Sequence, residues 1–374
     1  MGPHLVSDIT KSDLRVKKGC ILLYRIFDIA EEINIGRVEA LLRNNRGPDR
    51  FNVPKFIDRA LIMKRPPVSF ALGTETINIQ GRTLKADVLV KIRDFGVLSV
   101  IYQINIESST SWFELIQMAS DLEEGSEIDA LALKHVKEIT ATIQDALKKP
   151  AELGAFEDYI IYFIEEFENG VVAKDLAQRP EVAPLLLAED KVKISDLTRK
   201  SVIENMFQYS ESDLAIIEWN SALVVEPGGG REVTDILEFA VTHLMEMRFY
   251  DELLDQKLAV LYNDIEKHRA SIWSSRFDKT YQDASARYIE FSEFIERVEN
   301  SLKVVGDFYL ATVYRAATKK FRISDWQQNI TRKMNILAQV SSLLQGELNV
   351  RRSHWMEIII IILIGYEIVS AVWR

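Results

Sequence analysis

One cysteine, Cys20, stands among 374 residues. That scarcity excludes an intramolecular disulfide and any cysteine-built zinc site, and a reducing compartment is the simpler inference. Histidine is scarce as well. His4, His135, His243, His268 and His354 never fall into His-Glu-x-x-His or another paired ligand spacing. No Gly-x-Ser-x-Gly elbow occurs, so nucleophilic catalysis of the hydrolase kind has no residues to stand on. Proline is absent beyond Pro227, and from Val233 onward no strand signal appears either. Positive charge is in deficit: Lys+Arg 46 against Asp+Glu 56 leaves a net charge of −10. A general affinity for nucleic acid rests on neutralised phosphates and is not expected. Finally, residues 1–18 carry no apolar signal-peptide core, and Val6 stands where a myristoylation signal wants Ser or Thr. The body is expected to stay in the compartment where it is made.

What is present is an ordinary globular composition, 47% hydrophobic and 27% charged, which excludes both wholesale disorder and a polytopic membrane protein. At about 150 residues per domain the length suits two or three domains.

The N-terminal part alternates strands and helices. Cys20–Phe27 is a buried-strand pattern, and Asn34 is placed to cap a helix over Ile35–Leu42. Val68–Leu72, Leu84–Ile92 and Val97–Ile106 supply strands, with Asp94-Phe95-Gly96 as a hairpin turn. Ser109–Leu147 reads as two helices broken at Gly125-Ser126, with Ser126 as the new cap. Lys148-Lys149-Pro150 reads as a break and a possible sub-boundary. Tyr159–Phe163 is a further strand, short helices follow around Pro180 and Pro184, and Leu214–Val225 gives two strands around Trp219-Asn220-Ser221. Because the order is not a strict βαβ alternation, the expected class is α+β with a largely antiparallel sheet.

After Pro227-Gly228-Gly229-Gly230 the pattern becomes helical throughout. Leu237 to Ile265, Phe291 to Ala316 and Ile330 to Ile362 form three seams with 3,4 spacing. Ser324 and Gln327 form a capping box for the third. The expected division is an α+β domain over 1–227, a long-helix antiparallel bundle or coiled coil over 231–354, and an apolar C-terminal helix over 355–373.

That last segment is bounded by Trp355 and Trp373 and contains the unbroken run Ile358–Ile362. Its 19 residues make roughly 28 Å of helix, close to the hydrocarbon thickness of a bilayer. Arg351 and Arg352 precede it, and the positive-inside rule then keeps the body cytoplasmic. Two carboxylates oppose insertion. Glu367, deep in the segment, costs roughly 2.5–3.5 kcal/mol, while Ile358–Ile364 return about 0.3–0.6 kcal/mol each. Glu357, nearer the interface, costs less. Insertion is therefore near break-even in isolation and favours a neighbouring subunit as a partner for Glu367. The other reading is an apolar helix buried in an oligomer core without lipid.

Other candidates have plainer readings. Gly228-Gly229-Gly230 precedes a helix start, where phosphate can bind, yet neither a P-loop nor a Gly-x-Gly-x-x-Gly pattern is present there, and a flexible turn is expected. His243 and Glu246 share a helix face, but two ligands do not make a site. Cys20 reads as core, and Asp121, Glu123, Glu124, Glu127 and Asp129 as a solvated acidic surface with no EF-hand pattern. No cofactor, metal or catalytic residue is assigned.

The C-terminal third carries a family likeness. Asp307-Phe308-Tyr309, Trp326, Arg332-Lys333-Met334-Asn335, Arg351-Arg352 and Trp355-Met356-Glu357 with the isoleucine run and Glu367-Ile368 resemble the end of the required-for-meiotic-nuclear-division (Rmd) family, also called YagE-like. Leu237-Glu238-Phe239 through Leu254-Asp255 looks like that family's helical signature, with Met356 in place of its usual leucine. The resemblance implies a bacterial relative of a mitochondrial inner-membrane protein that forms homo-oligomers, supports organellar translation and has no established enzymatic activity. The expected function is a non-enzymatic, membrane-tethered, self-associating scaffold, with ribosome association implied by family analogy alone. The rivals are a soluble homo-oligomer with a buried apolar tail bundle, and an enzyme of unknown reaction in the α+β domain.

Overall fold

The computed structural model describes residues 14–46, 67–123, 125–151, 156–176, 178–267, 282, 285–286, 288–289, 292 and 308–373. The chain divides into two compact units, Met1–Glu246 with Glu296–Ile323, and Met247–Ile295 with Ser324–Arg374. The turn at Pro227–Gly230 lies within the first.

The first unit is built on a nine-stranded sheet. Its strands are β1 (Arg15–Asp28), β3 (Val68–Ile79), β4 (Arg82–Ile92), β5 (Val97–Asn105), β6 (Thr110–Ser111), β8 (Phe156–Phe167), β9 (Met206–Phe207), β10 (Leu214–Ile217) and β11 (Ser221–Val225). They run in the order β3-β4-β5-β1-β8-β11-β10-β9, with β6 beside the start of β1. The pairs are antiparallel except β8 with β11. The α+β class with a largely antiparallel sheet is therefore as expected.

Register explains why β1 is apolar on both faces. Ile21, Leu23 and Phe27 project to one face, where they join a core completed by α2 (Trp112–Glu123) and α3 (Glu127–Thr142). Cys20, Leu22, Tyr24 and Ile26 project to the other, and they are as deeply buried. There the cover comes from the first half of α7 (Glu232–Lys267) and from α8 (Phe308–Lys320). Val233 to Glu246 are buried on every side of α7, so this half of the helix has no solvent face. Phe321, just beyond α8, packs edge-on against Tyr159 of β8 at 5.7 Å and Trp219 at 6.2 Å. Tyr159 donates its hydroxyl to the carbonyls of Glu218 and Ser221 at 3.0 and 2.7 Å, tying the β10–β11 turn to β8.

Local signals decide the helix starts. Asn34 Oδ1 accepts the Arg37 N–H at 3.0 Å and caps α1 (Ile35–Arg46) as expected. The break at Gly125-Ser126 is present, but Ser126 makes no side-chain cap. Instead a capping box sits upstream: Ser111 Oγ accepts the Glu114 N–H at 3.2 Å, and Glu114 accepts the Ser111 N–H at 2.8 Å. Short helices α4 (Ala173–Leu176), α5 (Val182–Leu186) and α6 (Asp196–Ile203) follow β8. Lys148-Lys149-Pro150 is not a break. It forms β7 (Leu147–Pro150), which pairs with β2 (Ala30–Ile33) as a separate two-stranded sheet. Opposite charges face one another across the strands, with Lys148 Nζ 3.1 Å from Glu32.

In the second unit, α7 and α9 (Ile323–Val372) contribute long helices. Lys333 of α9 reaches Asp251 and Asp255 of α7 at 2.8 and 2.7 Å, and Leu254, Leu258, Ile330, Met334 and Leu337 are buried. A bundle or coiled coil beyond that pairing is not shown. Most of the expected second seam, Phe291 through Val305, lies outside the described residues. Where that seam is described, it is displaced. The core face of α8 is Leu310, Val313, Tyr314 and Ala317, one residue on from Tyr309 and Ala316, because the helix belongs to the first unit. Ser324 falls inside the first turn of α9, since the helix already starts at Ile323 after Arg322 in a left-handed conformation (φ +54°).

The expected transmembrane helix at 355–373 is not found. Among the described residues no helix is long and apolar enough to cross a membrane. Glu357 cuts the apolar sequence, and the side chains of Glu367 and of residues 369–372 lie outside the description. The unbroken described run is Ile358–Tyr366, about 14 Å of helix at ~1.5 Å per residue.

Gly96 marks the tightest backbone approach. A Cβ there would stand 1.7 Å from the Ala30 carbonyl oxygen, and φ is +98°. Gly96→Ala is expected to lower stability by roughly 2–4 kcal/mol, combining clash with left-handed strain. The urea midpoint reads it, and an unchanged midpoint would show that the β4–β5 turn yields freely.

Candidate functional site

Three places concentrate chemistry. The first is a buried charge cluster under α7. Lys91 of β4 lies on the sheet face that α7 covers, since its register partners are Ser69 and Ser99. Its ammonium pairs with Asp235 and, at 2.8 Å, with Glu238. Arg93, fully buried, stands 3.5 Å from the same Glu238 oxygen and 5.9 Å from the Phe239 ring. Burial by itself would raise the Glu238 carboxyl, but the charges of Lys91 and Arg93 outweigh it and hold it below the usual range. Burial opposes the Lys91 charge in the same way, and Asp235 and Glu238 overcome it, so its ammonium is held charged. Tyr24 beneath them is pushed up by burial and stays a phenol. Two cations face two anions, and the set is self-neutralising.

Nearby, Arg231 lays its guanidinium on the Phe163 ring at 3.8 Å and donates to Cys20 Sγ at 3.3 Å. Burial raises the Cys20 thiol despite the opposing Arg231 charge. Cys20 is thus core, as read from its strand. Farther along α7, His243 Nδ1 lies 2.8 Å from the Tyr314 hydroxyl of α8. Burial pushes His243 down to about 4, so the imidazole is neutral across physiological pH.

The second place is a crevice of about 540 Å³ at the carboxyl ends of β8 and β11. It is lined by Phe167, Val171, Val172, Ala173, Val225 and Pro227 together with Lys17, Glu165, Glu166 and Glu168. Lys17 pairs with Glu166 at 2.6 Å, Lys18 pairs with Glu165, and Ser109 donates its hydroxyl to Glu168 at 2.5 Å. The Gly228–Gly230 turn stands beside it. Gly229 has φ +70°, and a Cβ there would meet the Glu165 carboxylate at 3.4 Å. Glu226 accepts the Gly228 N–H at 3.0 Å, and the Glu232 carboxylate crowds Gly230. The chain's own carboxylates crowd this turn, which disfavours the phosphate that a glycine-rich turn can otherwise hold.

The third place is the far end of α9. Trp355, Met356 and the residues from Ile358 to Ile364, with Tyr366, are each 46–74% exposed, and Trp373 is 88% exposed. Glu357 is exposed among them. Arg351, Arg352 and Glu367 lie on α9, their side chains outside the description. The expected anchor residues thus share one helix end.

The remaining sequence candidates do not converge. His135 lies 3.0 Å from Glu75, His354 is exposed, and His4 and His268 fall outside the described residues. Among the described residues no group of three or more His, Cys, Asp or Glu is placed to hold a metal ion. The acidic cluster is less solvated than expected. Asp129 pairs with buried Arg25 at 2.6 Å, and Asp121 with Arg82 at 2.8 Å. The Lys91 cluster went unread because a lone lysine in an alternating strand looks solvent-facing; the available signal was Asp235 and Glu238, three apart on a helix apolar around them.

His243 sets an acid sensitivity. Its folded value near 4 lies below the ordinary 6.5, so the stability from a neutral ring is present above pH 6.5 and lost as pH falls toward 4. The loss amounts to roughly 3 kcal/mol. His243→Gln is expected to flatten that part of the stability–pH curve; an unaltered slope would remove His243 as the cause.

A family model described as the N-terminal domain of the uncharacterised protein MJ0711 matches residues 18–232, more than half of the chain. The uncharacterised protein MJ0711 of Methanocaldococcus jannaschii is 20% identical over 258 residues, covering 69% of this chain and 78% of that protein. No solved structure matches. These findings overturn the likeness to the Rmd family, which is a different one. The likeness rested on the C-terminal third, from Leu237-Glu238-Phe239 to Glu367-Ile368, all of it beyond the matched residues. The match instead spans β1 to the first residue of α7, and the chain belongs to the family of the uncharacterised protein MJ0711, N-terminal domain.

Proposed function

We propose that the chain is a non-enzymatic, self-associating scaffold whose body lies on the cytoplasmic face of a membrane and is tethered there by the end of α9. One observation carries the reading: the apolar end of α9 is exposed on every side. Ile358–Ile364 are seven consecutive residues, about two turns, and every one is at least 46% exposed. A helix that is apolar all round belongs in a protein core or in lipid, whereas a coiled-coil partner needs a stripe. Soluble monomers rarely leave such a patch uncovered. Tryptophans at both ends suit the interfaces, and Arg351 and Arg352 before the segment suit a cytoplasmic body. The non-enzymatic part rests on the buried charges, which pair with one another and do not line the crevice.

A second reading is a soluble homo-oligomer whose tails meet in an apolar bundle. It is favoured by the length of the unbroken run, about 14 Å against a hydrocarbon core of ~30 Å.

Fractionation of cells that express the full chain and a chain lacking Ile358–Arg374 tests the proposal. The full chain is expected in carbonate-resistant membranes and the truncated one in the supernatant. Detergent-free extraction of the full chain as a discrete complex would establish the second reading instead.

A further inference from the structure

The crevice at the ends of β8 and β11 is independent of the tether, and we propose that it docks a basic peptide segment of a partner protein, an extended stretch in which lysine or arginine alternates with aliphatic side chains. Position is the first ground. β8 and β11 are the parallel pair among the described strands of the sheet, and the crevice opens outside their carboxyl ends. A volume of about 540 Å³ suits two or three side chains rather than a domain.

Charge is the second ground. Glu165, Glu166 and Glu168 line the opening with Lys17, and Lys18 pairs with Glu165 beside it, which leaves the opening net acidic. The glycine turn before α7 adds Glu226, which accepts the Gly228 N–H, and Glu232, whose carboxylate crowds Gly230. The site therefore repels phosphates and carboxylates and attracts cations. The carboxylates are positioned rather than free to swing, Glu166 by Lys17 at 2.6 Å and Glu168 by the Ser109 hydroxyl at 2.5 Å.

The apolar lining supplies the third ground. Val172 is 40% exposed there and available to a ligand, with buried Val225 also among the lining residues. A bare polyamine offers charge without the aliphatic groups that Val172 would cover, whereas an alternating segment offers both. Its side chains point to opposite faces at successive positions, so that one set meets the carboxylates and the other the valine.

Fluorescence anisotropy with the full chain in detergent and a labelled peptide of alternating lysine and leucine tests this. Saturable binding is expected, weakened about tenfold or more by Glu166→Lys and by Val172→Asp, and unchanged by Glu138→Lys, an exposed charge reversal on α3. Each variant's thermal unfolding is matched to the parent chain first, and Glu168→Gln serves if Val172→Asp does not fold. Absence of saturation would overturn the proposal, and so would an equal loss in Glu138→Lys. Spermine that binds as tightly and ignores Val172→Asp would overturn it in favour of a small polyamine.

Discussion

Burial of the central strand on both faces is the constraint from which the rest follows. β1 sits between β5 and β8 with helices above and below, so Cys20–Phe27 must be apolar on alternate and intervening positions alike. Where polar groups enter such a layer they have to be matched, because an unpaired charge in a core costs several kcal/mol. Lys91 and Arg93 against Asp235 and Glu238 meet that condition on one face, and Arg25 with Asp129 meets it on the other. The pairs also set the register of α7 on the sheet, since Asp235 and Glu238 are one turn apart and both reach Lys91.

The same rule applied to α9 gives the functional reading. Near its start the helix hides Ile330, Met334 and Leu337, and Lys333 is paired with two aspartates. At its far end Ile358–Ile364 are exposed in every direction. The hydrophobic effect that seals the sheet makes this end unfavourable in water, which is the ground of the proposed tether. Lipid accepts a helix from all sides at once; a helical partner accepts a face.

Much of the first unit was legible because doubly buried strands read as apolar runs and because turn chemistry is local. Asn34, Gly96 and the Gly125-Ser126 break were found in this way. The pairing of Ala30–Ile33 with Leu147–Pro150 was not. Glu32 and Lys148 look like solvated charges until they are set opposite one another across 116 positions. The face of α8 was misjudged by one residue because periodicity fixes a stripe without saying which neighbour covers it. For the sites, the apolar end of α9 was plain in sequence. The Lys91 cluster and the crevice were not, since each is assembled from strands and helices distant in the chain.

The central claim is that Ile358–Ile364 face lipid on all sides. Spin labels placed singly at these seven positions, in the full chain reconstituted into phospholipid vesicles, test it most directly. The account predicts high oxygen accessibility and low accessibility to a water-soluble nickel chelate at every position. An oscillation with the ~3.6-residue helical period, or uniform exposure to the chelate, would contradict it.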